Sequence, residues 1–271
     1  MTGTTTMPPG ERLRAALEVT REGGLPALIP YVTAGFPHLG DTVGVLRAAE
    51  EAGCAAAEIG IPFSDPLADG PTIQRAGWQA LHNGMTATLA VEQAAAARAA
   101  GLTLPLVLMT YINPVLSRGL DRFCAEAAAA GVDGLIVPDL PDDEADDAHA
   151  ATAAHGLALI PLVAPTTPDE RIDRACRRAS GFVYCVSVTG TTGARQSIDA
   201  EAFELLERVR THSPLPRAMG FGLARHEHML ALRGRCEAAV VGSALIDAIS
   251  GQPEDGAGAA AAFLRGMLHA A

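Results

Sequence analysis

The chain has 271 residues, a mass of 27.9 kDa and a formal net charge of −11, and all 20 of its basic residues are arginine. A hydrophobic fraction of 49%, much of it alanine, with 4% aromatics supplies a sizeable core and excludes a disordered chain. The acidic balance, with a pI near 5.1, argues against a nucleic-acid or anionic-membrane surface, and the absence of lysine excludes a Schiff-base aldolase, a pyridoxal-phosphate enzyme and a lysine-bearing P-loop.

In chain order, residues 11–24 predict a first helix and "ALIPYVT" (27–33) a short buried strand, followed by a helix over 41–53. "AAEIGI" (56–61), "PLVLMTY" (105–111) and "GLIVP" (134–138) are the next strands, with helices over 86–101, 120–131 and 142–156 around them. "LALIPLV" (157–163), "FVYCVS" (182–187), "PRAMGF" (216–221) and "EAAVVG" (237–242) complete the strands. They are interleaved with helices over 168–180 and 199–212, and followed by the short run "ALIDAI" and a last helix over 256–270. Several helices end in the glycine expected just past a helix C-terminus. Short apolar runs alternating with amphipathic helices, eight times in this length, predict an α/β fold, a (β/α)8 TIM barrel. No linker or composition shift divides the chain, so it reads as one domain over 1–271, with the 11–24 helix closing the barrel bottom.

The cysteines Cys54, Cys124, Cys176, Cys185 and Cys236 are odd in number and widely spaced, which matches neither a disulfide framework nor a zinc pattern; they read as reduced and mostly buried. The segment "MTGTTTMPPGERLR" lacks the apolar core of a signal peptide, and the longest uncharged run, 99–117, is interrupted by polar residues and prolines, so the cytoplasm is the expected compartment.

Barrel chemistry comes from the C-terminal ends of strands and the loops after them. Glu58 stands inside an apolar strand: pointing inward it would be desolvated and its proton affinity raised, whereas pointing outward it would be an ordinary paired acid. Asp69 lies in the following loop, "PFSDPLADGP", where Pro62, Pro66 and Pro71 restrict the backbone. Two acids in unlike environments suit separate acid and base roles, but spacing alone leaves open a solvated surface loop. "GFG" (220–222) after the seventh predicted strand and "GS" (242–243) after the eighth occupy the places where barrels bind phosphate through backbone N–H groups and a helix N-terminus. "VTGTTGAR" (188–195) has the character of a lid. "HEH" (226–228) puts its histidines at i and i+2, which do not share a helix face, so no metal site is expected.

Taken in order, "PYVTAGFP" (30–37), "EIGIPFSDPLADGP" (58–71), "MTYINPV" (109–115), "VPDLP" (137–141), "VAPTTPDERI" (163–172), "SVTGTTGAR" (187–195), "GFG" and "VVGSALI" strongly resemble the tryptophan synthase alpha family. The resemblance runs from about Leu28 to the last helix. It implies retro-aldol cleavage of indole-3-glycerol phosphate to indole and glyceraldehyde 3-phosphate without cofactor or metal in this chain, and a pyridoxal-phosphate β subunit as partner in an α2β2 assembly. It also implies Glu58 and Asp69 as catalytic acids, Tyr184 near the reacting glycerol, and Tyr31 and Tyr111 along the indole pocket. Gly193, Gly222, Gly242 and Ser243 fall at the phosphate cradle and Thr192 at the lid threonine. Asp65, Pro66, Asn113 and Pro141 fall on the partner-facing rim. Val188 and His38 depart from common family residues in the lid and a peripheral loop. A stand-alone lyase releasing free indole, or a non-catalytic barrel that activates a partner, are the alternatives; retention of both acids argues against the second, and the synthase that makes indoleglycerol phosphate would need a lysine.

Overall fold

The computed structural model describes residues 8, 10–19, 24–186, 198–220 and 222–269. The first half of the element order is α1 (Glu11–Glu18), β1 (Ala27–Thr33), α2 (Thr42–Ala52), β2 (Ala57–Gly60), α3 (Pro71–His82), α4 (Ala87–Ala99), β3 (Leu106–Met109), α5 (Ile112–Arg118), α6 (Leu120–Ala129), β4 (Gly134–Ile136) and α7 (Asp146–Ala154). The second half is β5 (Ala158–Leu159), β6 (Leu162–Val163), α8 (Asp169–Arg178), β7 (Val183–Val186), α9 (Ala200–His212), β8 (Arg217–Gly220), α10 (His226–Leu232), β9 (Ala238–Val241), α11 (Ser243–Ser250) and α12 (Gly256–Leu268).

All pairings are parallel, in the order β5-β4-β3-β2-β1-β9-β8-β7-β6. The two ends of this series, β5 and β6, are consecutive pieces of the single strand expected over 157–163, which is a correction to that expectation. The cause is Pro161, which has no N–H to extend the ladder to β4. On one side of the break Ile160 N donates to Leu135 O at 2.9 Å, and on the other Tyr184 N donates to Pro161 O at 3.0 Å. One stretch of chain thereby joins both edges, and the cylinder closes as a TIM barrel.

Alternation along the strands separates two cores. Ile29, Ala56, Val107, Ile136, Ala158, Ile160, Phe182, Ala218 and Val240 fill the barrel with Leu13 and Leu17 of α1. Leu28, Ala57, Ile59, Leu106, Leu108, Leu135, Val183, Cys185, Met219 and Val241 face the helices. Helix α1 is therefore the bottom plug that the sequence predicts. It is anchored by Arg12, which pairs with Asp133 at 2.9 Å, while Asp133 also accepts from Arg98 at 3.0 Å and from Leu106 N at 2.8 Å. All five cysteines are buried thiols outside any disulfide.

Two helices escape the sequence reading, α3 and α5, while the helical turn read at "HEH" extends to the full α10 (His226–Leu232). Pro71 and Pro114 read as loop punctuation, yet Pro71 is the first residue of α3 and Pro114 lies in the first turn of α5, where a missing N–H costs nothing. The helix expected over 142–156 begins only at Asp146, after a short 3-10 turn over Asp142–Glu144.

Candidate active site

With Ala56 pointing into the barrel, the two-residue period of β2 turns Glu58 inward as well. It is 0% exposed, and neither carboxylate oxygen has a hydrogen-bond partner among the described residues. Burial alone pushes its proton affinity up to about 8. The paired-acid alternative is thus removed: Glu58 is an acid without a hydrogen-bond partner on the inner wall, directly opposite Tyr31 in the β1–β2 register.

Asp69 sits half-buried at the end of the loop after β2. Its carboxyl is raised to about 6 by burial, and a hydrogen bond from Tyr111 pulls in the opposite direction. The prolines are only part of what stiffens this loop. Ala68 N donates to the Tyr111 hydroxyl at 3.0 Å, Asp69 N to Pro66 O at 3.3 Å, and Gln74 of α3 donates to Asp69 O at 2.8 Å. Phe63 adds a ring contact with Tyr111 at a 5.3 Å centroid distance. None of these backbone contacts uses the Asp69 carboxylate, whose hydrogen bond is with Tyr111.

All 3 tyrosines of the chain stand on this mouth. Tyr31 and Tyr184 are inward residues of β1 and β7, and Tyr111 precedes α5. The phenol of Tyr184 is held well above its ordinary range by burial first and then by the nearby charges of Glu58, Tyr31 and Asp69. Two residues that sequence reasoning missed make room for these rings. A Cβ on Gly60 would lie 1.9 Å from the Tyr31 hydroxyl oxygen, and one on Gly220 would lie 2.3 Å from that of Tyr184. Any side chain at either strand end would evict a tyrosine. The motif "EIGIP" contains the first of these glycines, but nothing in one strand's sequence reveals a ring arriving from its neighbour.

On the opposite rim, Gly222 follows β8 with φ +55° and Gly242 ends the path from β9 into α11, whose first residue is Ser243. Gly242 faces the Cβ of Tyr31 at 3.5 Å from its own virtual Cβ, so this helix end points at the same mouth. No side chain caps α11, leaving its first N–H groups open to an anion. Val188, Thr192 and Gly193 lie outside the described residues.

Asp65, Asn113 and Pro141 are exposed on the rim and Pro66 is half-buried. Two apolar residues accompany them that the sequence reading did not single out: Leu67, 90% exposed, and Leu116 of α5, 57% exposed. The segment carrying Pro141 also lines a cavity of about 280 Å³ with Val163, Thr167 and Arg171 across from it. His38 is exposed and bonded to Asp41 at 2.8 Å, away from the acids. The single tryptophan, Trp78, lies on the outside of α3, stacked on His82 at a 3.7 Å centroid distance.

An uncapped helix end beside Tyr31, with two desolvated, unequal acids at the C-terminal mouth of a (β/α)8 barrel, defines the class: a barrel with the groups for acid–base chemistry and an open helix N-terminus of the kind that suits a phosphate. A family model for the tryptophan synthase alpha chain matches residues 17–267. The tryptophan synthase alpha chain of Chloroflexus aurantiacus is 48% identical over 260 residues, covering 96% of this chain and 95% of its own length. Among solved structures, tryptophan synthase from Mycobacterium tuberculosis superposes with a TM-score of 0.86 at 37% identity, covering 94% of this chain and 96% of that one. The tryptophan synthase α2β2 complex from Pyrococcus furiosus gives 0.85 at 39%, covering 90% and 98%. This chain belongs to the tryptophan synthase alpha chain family.

Proposed function

We propose that this chain is the lyase subunit of a tryptophan synthase, cleaving indole-3-glycerol phosphate to indole and glyceraldehyde 3-phosphate with Glu58 and Asp69 as its working acids. The observation that carries this reading is the pair itself: one acid raised to about 8 and the other to about 6, each by burial, at one strand end and its loop. At neutral pH Glu58 then holds a proton and Asp69 is largely ionised. Glu58 donates its proton to indole C3, and the positive charge that develops on the ring nitrogen is stabilised by the Asp69 carboxylate holding the N–H. The carboxylate left on Glu58 takes the proton of the glycerol hydroxyl. The carbon–carbon bond breaks, its electron pair returns to the ring, and the hydroxyl carbon becomes the aldehyde. One proton enters the substrate and one leaves, so no amine, metal or redox group is required. Protonating C3 first matters because direct cleavage would leave an unstabilised indolyl carbanion.

In this reading Tyr184 packs beside the glycerol, Tyr31 and Tyr111 wall the indole, Gly193, Gly222, Gly242 and Ser243 hold the phosphate, and Thr192 is the lid threonine that serves Asp69. Ser243→Asp places a negative charge at the helix end meant for phosphate. Equilibrium binding of glycerol phosphate should weaken clearly; an unchanged dissociation constant would remove Ser243 from the site.

The rim formed by Asp65, Pro66, Asn113 and Pro141 is read as the docking face for the β subunit, which carries pyridoxal phosphate. The chain is read as one domain working in the cytoplasm; among the described residues no helix is long and apolar enough to cross a membrane. The decisive experiment is incubation of the pure chain with indoleglycerol phosphate, with and without a β subunit. Coupling between two such sites is typically about 1–3 kcal/mol, so cleavage should accelerate by roughly 5–150-fold on assembly. Fast cleavage by the chain alone, unchanged by a β subunit that binds, would make it a stand-alone lyase.

A further inference from the structure

The cavity of about 280 Å³ beneath the segment carrying Pro141 lies one strand away from the mouth. Among its lining residues, Leu162 of β6 packs against the barrel core and is the register partner of Tyr184, whereas Val137, Leu159 and Val163 belong to the helix-facing core. Ala145, just before α7, and Ala175 of α8 line it from the helix layer. The space is therefore outside the barrel wall, where the ladder parts at Pro161, and its size suits one small ligand. The polar side chains on this lining are engaged, apart from one atom. Asp139 Oδ1 accepts from Ile112 N at 2.9 Å, Thr167 Oγ1 accepts from Ala164 N at 2.9 Å, and Arg171 donates to Asp143 at 2.9 Å. Asp142 Oδ1 lies 3.3 Å from His149 Nε2. The exception is Asp142 Oδ2, which is buried and accepts no hydrogen bond. Its charge is nevertheless balanced, with the Arg178 guanidinium 3.7 Å away. What is unmet is an acceptor's need for a donor, not a charge's need for a counterion.

We propose that this cavity is a second indole site, in which the ring N–H donates to Asp142 Oδ2 and the bicycle packs on Val137, Leu159 and Val163. The choice of indole rests on the reaction proposed above. Indole is flat, apolar and uncharged, carries a single N–H donor, and is released on the opposite side of β6. A cation here would face Arg171 and Arg178, and an anion would face Asp142; a neutral donor meets neither penalty. Because the segment that carries Pro141 also bounds the cavity, product held there stays beside the face read as the docking rim instead of passing into solvent.

The test is a titration of the full chain with indole, followed by NMR of isotope-labelled valine methyls while an indolyl alkyl phosphate occupies the mouth. Val137 and Val163 report the cavity, and Val107 and Val240 report the barrel interior. Saturable shifts are expected at Val137 and Val163 alone. N-methylindole has the same body and no N–H, so it should bind there about tenfold more weakly, the low end for a hydrogen bond to a charged group. Asp142→Ala should weaken indole by the same factor and make the two ligands equal. Ala175→Leu, which fills the cavity from α8, should remove the shifts and leave cleavage of indoleglycerol phosphate unchanged. Silent Val137 and Val163 methyls, or shifts that vanish once the mouth is occupied, would confine indole to the mouth. Equal affinity of the parent chain for indole and N-methylindole would overturn the part given to Asp142, and this comparison needs no variant to fold. The two readings fail separately: cavity binding by a chain that cannot cleave indoleglycerol phosphate sinks only the lyase reading, whereas cleavage with no response at Val137 and Val163 sinks only the second site.

Discussion

Glu58→Gln is expected to lower cleavage by at least about a hundredfold, since a positioned proton donor typically contributes 10²–10⁴. The amide keeps the shape of the carboxyl but has no proton to deliver to C3 and no basicity to collect one from the glycerol hydroxyl. The same variant carries a second signature, in stability. Glu58 titrates near 4.5 in the unfolded chain and near 8 in the folded one. Between these values the folded state holds a proton that the unfolded state has lost, so stability falls as pH rises through that window and is fully present only below it. Glutamine has no such dependence. Relative to the variant, the parent should lose on the order of 3 kcal/mol between pH 4.5 and pH 7. Urea unfolding of both proteins at pH 5 and pH 8 reads this directly: parallel pH profiles would mean that Glu58 is not held protonated, and near-normal turnover would remove it from the chemistry.

Asp69→Asn should also cost about a hundredfold or more, and in a different parameter set. An asparagine oxygen still accepts the indole N–H, so substrate binding survives. What is lost is the negative charge opposite a ring that becomes cationic only as the reaction proceeds, and the loss falls on kcat. The loop itself should keep its shape, because its fastenings run through Pro66 O, Asp69 O, Ala68 N and the Tyr111 hydroxyl. In a pH profile of kcat/KM, the acidic limb near 6 should vanish in Asp69→Asn while the alkaline limb near 8 remains. Retention of both limbs in single-turnover assays would assign the acidic limb elsewhere.

Much of this arrangement is legible in the chain, and the illegible part has a common cause. An acid inside "AAEIGI" is visible because an apolar strand has no ordinary reason to hold one, and its inward placement follows from the two-residue period. Asp69 is visible only through its motif, since loop geometry carries no period. Gly60 and Gly220 are invisible because their meaning lies in Tyr31 and Tyr184, which reach them across the register from other strands or along their own wall. Proline misleads in both directions: Pro71 and Pro114 suggest loops where helices begin, and Pro161 sits within a run that reads as one strand although it divides two ladders. The open N-terminus of α11 is legible as "GS" after the last strand because a strand–glycine–helix passage leaves a local signature.

The distribution of chromophores gives this protein a built-in separation of signals. Its phenols all report from the mouth, while its one indole side chain reports from the outer surface of α3, beside His82. Fluorine resonances after incorporation of 3-fluorotyrosine would therefore follow ligand entry with every signal arising at the mouth. Tryptophan emission would follow the exterior of α3 instead, where Trp78 lies against His82. A single labelled sample thus offers two separate channels, one for the chemistry and one for the surface.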